Sequence, residues 1–276
     1  MTDLDWAAMA DVLELEAEAH QPYVQQALAE LAHLEPQRVL DVGSGPGVAA
    51  CQLAATFPKA EVTAVDGSPE LLARAEQRAE RLGVELRTRV AEFPDGLGEL
   101  GTADLIWTAQ TVHHVGDQQD ALNRLARLLA PGGVLAVVEG GLPTRWLPHD
   151  LGFGRPGLQS RLDAAMSERF NQMRSELPGS VATVETWADM LRTAGLDGTR
   201  SRTFLVDRPA PLADGARRWL CGTVERYRHG LHDHLAAEDL AALDRLLDPA
   251  DPMGIDQRPD LFLLTAKTVH FGQKPA

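Results

Sequence analysis

The constraint that dominates this chain is the run Val39-Leu40-Asp41-Val42 passing directly into Gly43-Ser44-Gly45-Pro46-Gly47, with a helical pattern from Val48. A strand entering three alternate glycines turns sharply and brings its backbone against a ligand where a Cβ would intrude. The same alternation continues downstream. Strands are predicted at Arg38–Val42, Glu61–Val65, Glu85–Val90, Leu105–Ala109 and Val134–Glu139, with amphipathic segments between them. That order describes a doubly wound α/β unit on a mostly parallel sheet.

The helix signals are local and mechanistic. Val24, Ala27, Leu28 and Leu31 share one face, which predicts a helix over about 17–32. Ser68-Pro69-Glu70 supplies a cap, a preset first turn and an acidic start, and Gly83 supplies a stop. Asp117 similarly caps a helix carrying Leu122, Leu125, Leu128 and Leu129, ended by Pro131-Gly132-Gly133. Residues 140–157 hold five glycines and three prolines in eighteen positions, which predicts a long loop. Helices follow at about 158–176, 185–194 and 212–247, with strands at Arg202–Val206 and Leu261–Val269. The late helices read as a lid insertion. The chain thus divides into an N-terminal helical segment, 1–35, a core, 36–140, and a region of loop, lid and closing strands, 141–276.

Two departures sharpen the glycine turn. The third glycine of the dinucleotide fingerprint is replaced by Val48, and no P-loop lysine is present, so a diphosphate is a poor ligand. Asp41 precedes the glycines, where a carboxylate repels phosphate and favours a cation. Asp66 closes the second strand 25 residues beyond Asp41, placed to accept ribose hydroxyls. The expected ligand is a nucleoside bearing positive charge. Glycines that merely permit close packing, and an Asp66 that merely belongs to a polar turn, are the plain alternatives.

With these residues the sequence resembles the class I S-adenosylmethionine-dependent methyltransferases over roughly residues 20–140, with Leu261–Val269 as a closing hairpin strand. The resemblance implies a Rossmann-like, seven-stranded, mostly parallel sheet and S-adenosyl-L-methionine as cofactor. It places Gly43, Gly45 and Gly47 against the methionine portion, Asp66 and Gly67 at the ribose, Ala91, Glu92 and Phe93 beside adenine, and Gln110 near the methionine amine. Val90 or Ala91 stands where many relatives end strand three on Asp. Glu92 and Phe93 read equally as an edge carboxylate and a core aromatic.

Methyl transfer from a sulfonium is largely a matter of alignment, with a base where the nucleophile is a phenol, amine or indole. His113 and His114 follow strand four at the carboxyl edge of the sheet, where ligands collect in open α/β folds. Tyr23 lies on the N-terminal helix. Tyr23 and His113 are the catalytic candidates, and His114, Trp146, Phe153 and Arg155 are the substrate-binding candidates. Each has a bland counterpart in capping, core packing or surface charge. His229, His232, Asp233 and His234 read as a solvated surface, and no metal is expected.

A formal charge of −14 and the lack of any Pro-Pro disfavour nucleic acid. No run reaches the roughly 20 apolar residues of a membrane span, and the acidic start lacks a signal-peptide pattern, so a cytoplasmic setting is expected. Cys51 and Cys221 suggest no disulfide framework. The expected substrate is a small natural product: an indole methylated at carbon or nitrogen in a tryptophan-derived compound such as a cyclic dipeptide. A phenolic or polyketide O-methyltransferase and a non-catalytic cofactor-binding protein are the alternatives. Assembly as a homodimer stays open.

Overall fold

The computed structural model describes residues 9–276. The first eight residues of the expected 1–35 segment therefore lie outside the described part. The chain forms two compact units. The first comprises residues up to Gly141, Glu176–Phe204 and Lys267–Ala276; the second comprises Leu142–Ser175 and Leu205–Ala266. Regions 176–204 and 267–276, expected with the C-terminal part, thus belong with the glycine turn.

The strands are β1 (Arg38–Val42), β2 (Glu61–Asp66), β3 (Arg87–Val90), β4 (Ala103–Ala109), β5 (Leu129–Arg145), β6 (Asp197–Arg208) and β7 (Leu263–Gln273), in the order β3-β2-β1-β4-β5-β7-β6. The pairs β1·β2, β1·β4, β2·β3 and β4·β5 are parallel. β7 runs the other way. Against β5, Lys274 bonds Gly132 and Gly133 while His270 bonds Glu139, and against β6, Thr268 bonds Thr203 while His270 bonds Ser201, the residue numbers rising on β7 as they fall on each neighbour.

Helices α1 (Ala10–Leu31), α2 (Val48–Thr56), α3 (Pro69–Leu82), α4 (Gln118–Leu128) and α6 (Trp187–Thr193) belong to the first unit. Ser68 Oγ accepts the Leu71 N–H, Gly83 ends α3 with φ +68°, and Asp117 caps α4 through the Asp120 N–H at 2.9 Å. One core of this unit joins Leu40, Val42, Ile106, Leu122, Leu125, Leu135 and Val137 with Trp187 and Leu191. α1 starts about seven residues before the predicted helix. Its early turns show little apolar periodicity but are rich in strong helix formers, and charge holds them: Arg78 Nη1 reaches Glu14 at 2.6 Å and Glu18 at 2.8 Å, while Arg74 reaches Asp11 at 2.8 Å.

β5 exceeds its prediction at both ends. Gly132 donates to the Lys274 carbonyl and Lys274 donates to the Gly133 carbonyl, so the Pro-Gly-Gly segment is absorbed into pairing with the last strand. Residues 140–145, expected in a loop, continue β5. In the second unit α5 spans Leu158–Glu176, and the predicted 212–247 helix divides into α7 (Asp214–Gly230) and α8 (Ala237–Leu247) around a short 3-10 turn at His232–His234. Gly230 ends α7, consistent with its cost inside a helix. No helix among the described residues is long and apolar enough to cross a membrane.

Candidate functional site

A cavity of about 540 Å³ opens at the carboxyl edge of the parallel strands, within the first unit. Its wall is built from the end of β1 and the glycine turn, the ends of β2, β3 and β4 with their following loops, the inward face of α1, and Lys267 of β7. Of the sequence candidates it gathers Tyr23, Asp41, Gly43, Gly45, Asp66, Gly67, Glu92, Phe93, Gln110, His113 and His114.

The turn works by conformation. Gly45 has φ +53° and Gly47 has φ +76°, a left-handed region costing an L-residue roughly 1–2 kcal/mol. At Gly45 an added Cβ would meet nothing within 4 Å, so the backbone stands open to the cavity. At Gly47 it would overlap the Ala75 Cβ. Gly47 is therefore a helix-entry and packing residue and is not part of the wall, unlike the role implied for it. Ala91 is likewise outside the wall and lies against Gly96; Glu92, one residue on, sits with its carboxylate beside Gly67.

Two aspartates give the wall its charge pattern. Asp66 Oδ2 accepts the Gly45 N–H at 2.8 Å and Oδ1 accepts the Ser68 N–H at 3.0 Å, which fixes the carboxylate at the end of β2. Lone pairs remain for hydroxyl donors. Asp41 is 1% exposed, and its Oδ2 has no hydrogen-bond partner. Burial first, and the charge of Asp66 second, push its pKa up to about 8. A buried carboxyl with an orphaned oxygen beside open glycine backbone suits a cationic ligand: positive charge would return the carboxylate to its ionised form. The residues present thus fit an adenosine carrying a sulfonium and an ammonium group.

At the other side of the wall, Glu139 of β5 organises the loop after β4. Its Oε1 accepts the Val112 N–H at 2.9 Å and the His113 N–H at 3.3 Å; its Oε2 lies 2.9 Å from His113 Nδ1. Glu139 is 3% exposed and anchored by the backbone it holds. The His113 and His114 rings lie 4.2 Å apart, centroid to centroid. Gln110, with φ +54°, donates from its side chain to the Val138 carbonyl at 3.2 Å. A non-glycine residue held in this region of φ at a ligand wall is the kind of local strain that clusters at functional sites.

Tyr23 is buried, and its phenol is raised well above the ordinary tyrosine value by burial, then by Asp41, Glu16 and Glu139. It is held as a neutral hydroxyl, which can donate a hydrogen bond but is a poor proton acceptor. The sequence reading missed Glu16, His20, Lys267 and the partner role of Glu139. His20 precedes Tyr23 by three residues on α1, a same-face spacing visible in the sequence; its Nδ1 lies 2.8 Å from the Glu16 carbonyl.

The remaining substrate candidates lie in the second unit and are committed locally. Trp146 is 1% exposed and donates its backbone N–H to Gln159 Oε1 at 3.0 Å. The Phe153 ring is covered by the Arg245 guanidinium at 4.4 Å, and Arg155 reaches Asp239 at 3.4 Å. None of the three lines the cavity. Among the described residues no group of three or more His, Cys, Asp or Glu side chains is placed to hold a metal ion.

A family described as "Methyltransferase domain" matches residues 39–133. A trans-aconitate 2-methyltransferase of Methylobacterium nodulans is 30% identical, covering 96% of this chain and 99% of its own length. A demethylmenaquinone methyltransferase of Thermus thermophilus is 38% identical over 38% of this chain and 47% of its own. Among solved structures, the YcgJ protein of Bacillus subtilis superposes with a TM-score of 0.51 at 19% identity, covering 92% of this chain and 99% of that one, a likeness of fold. Strand order, open glycine turn and near full-length similarity converge: the chain belongs to the class I S-adenosylmethionine-dependent methyltransferases and is an enzyme that uses S-adenosyl-L-methionine.

Proposed function

We propose that the substrate is a neutral aromatic nucleophile that must give up a proton, read best as the indole carbon or nitrogen of a tryptophan-derived compound such as a cyclic dipeptide. The observation that carries this reading is the Glu139–His113 pair. A carboxylate oxygen 2.9 Å from Nδ1 orients the imidazole of a residue that lines the cavity. A ring so oriented would serve as a general base, which is useful where the nucleophile sheds a proton.

The cofactor supplies a methyl group already activated by its sulfonium. His113 would take up the proton that the indole gives up on accepting the methyl group. Gly43 and Gly45, with Asp41 and Asp66, would hold the cofactor; Gln110 would meet its amine; Tyr23 would orient the acceptor; Phe93 and His114 would give aromatic wall to a planar ring.

A second reading comes from the Methylobacterium nodulans relative, named for trans-aconitate. A carboxylate acceptor needs no base. Its charges would also meet Glu16 and the nearby Glu139, with Lys267 the lone lysine or arginine on the wall among the described residues. We therefore favour the neutral ring. The test is to incubate the enzyme and S-adenosylmethionine separately with cyclo-ditryptophan, indole, a naphthol and trans-aconitate, following S-adenosylhomocysteine release and product mass. Turnover of the indole compounds is expected; turnover of trans-aconitate alone would replace this reading with the second.

A further inference from the structure

Lys267 is the cation for which the fold and the cofactor provide no evident use. It stands on β7, half-buried, and lines the cavity. Among the described residues it makes no hydrogen bond and no close ion pair, although Glu16 and Glu139 lie near enough to act on it through space. A half-buried ammonium that faces a cavity without a direct protein partner is available to an oxygen acceptor that enters there.

Its place on the sheet says what that something is. Asp66 ends β2, and the order β2-β1-β4-β5-β7 puts four inter-strand steps between the two residues, about 19 Å at ~4.8 Å per step. The ribose and adenine end of the wall is therefore remote from Lys267. Tyr23 shares the surroundings of Lys267, since Glu16 and Glu139 act on both. That is the end left for the acceptor molecule.

We propose that Lys267 is a substrate anchor: its ammonium donates a hydrogen bond to a carbonyl or carboxylate oxygen of the substrate, set apart from the atom that receives the methyl group. The substrate class narrows accordingly to rings bearing an oxygen acceptor, which excludes bare indole as the physiological compound. This rests on the reading of the cavity given above only in taking that end as the acceptor end. Burial lowers the lysine from its ordinary value while Glu16 and Glu139 oppose the shift, and either protonation state keeps an N–H to donate.

The experiment measures binding to the S-adenosylhomocysteine-loaded enzyme by calorimetry, with four probes: 3-methylindole, indole-3-acetamide, indole-3-acetate and trans-aconitate. Wild type is compared with Lys267→Met and Lys267→Arg, and S-adenosylhomocysteine affinity reports integrity of the fold. Indole-3-acetamide or indole-3-acetate is expected to bind at least tenfold more tightly than 3-methylindole; the gap should vanish in Lys267→Met and return in part in Lys267→Arg. Which of the two binds better tells a carbonyl from a carboxylate. Should trans-aconitate alone bind, and lose tenfold or more in Lys267→Met, the anchor stands while the indole reading falls. A gap unchanged in Lys267→Met, or no binding of any oxygen-bearing probe to folded wild type, overturns the anchor.

Discussion

Glu139 holds His113 twice, accepting from its backbone N–H at 3.3 Å with one carboxylate oxygen and bonding its ring Nδ1 at 2.9 Å with the other. Position and orientation of the imidazole are thereby set by one side chain. Glu139→Gln should lower kcat by roughly 10²–10⁴-fold, the range over which an oriented base contributes. Affinity for S-adenosylhomocysteine should change by less than about threefold. Steady-state kinetics beside calorimetry checks both; equal losses would make the pair a scaffold for the loop.

Asp41 makes cofactor binding depend on pH. Its raised pKa, about 8, means that the folded, ligand-free enzyme keeps this proton near neutrality, and a cation bound beside it expels the proton. Affinity for S-adenosylmethionine should therefore increase as pH rises from 6 to 8, by up to about tenfold per unit, and level off above. Asp41→Asn should flatten that dependence. The same shift bears on stability: the contribution of protonated Asp41 is full below about 3.8 and is lost as pH rises through about 8, so thermal unfolding without ligand at pH 8.5 should find Asp41→Asn at least as stable as wild type.

Tyr23 is held neutral, with burial the largest cause. Tyr23→Phe should reduce kcat by about 10-fold, in keeping with the loss of one hydrogen bond of roughly 1.5 kcal/mol, and leave the shape of the pH–rate profile unaltered. Loss of a limb of that profile would restore the phenol as a proton acceptor.

Gly45 and Gly47 should separate in their effects. Gly47→Ala combines unfavourable φ with overlap on Ala75 and should destabilise the protein by about 2 kcal/mol or more, seen as a lowered Tm. Gly45→Ala has no such neighbour, so its stability loss should be about 1 kcal/mol, while its methyl group enters the cavity and weakens S-adenosylhomocysteine binding.

What could be read in advance follows the range of the interactions involved. The limits of α3 came from Ser68, Pro69 and Gly83, because caps act within a turn. α5 was placed at its observed ends by the loop chemistry before it. The glycine turn and Asp66 belong to one local strand-turn-helix pattern and its neighbour, and they declared the cofactor. The opposite end of the wall is assembled from α1, the loop after β4, β5 and β7, so the partnership of His113 with Glu139 and the approach of Lys267 had no local signature. Trp146, Phe153 and Arg155 were chosen for residue type in a Gly/Pro-rich stretch; burial, Arg245 and Asp239 occupy them instead. The early turns of α1 lack apolar rhythm because ion pairs to α3 replace it.

The first unit is drawn from three stretches, and β7 enters its sheet between β5 and β6. During synthesis the glycine turn emerges more than 200 residues before Lys267. The residues that would hold the nucleoside thus come from an early stretch of the chain, and the lysine proposed to anchor the acceptor from a late one.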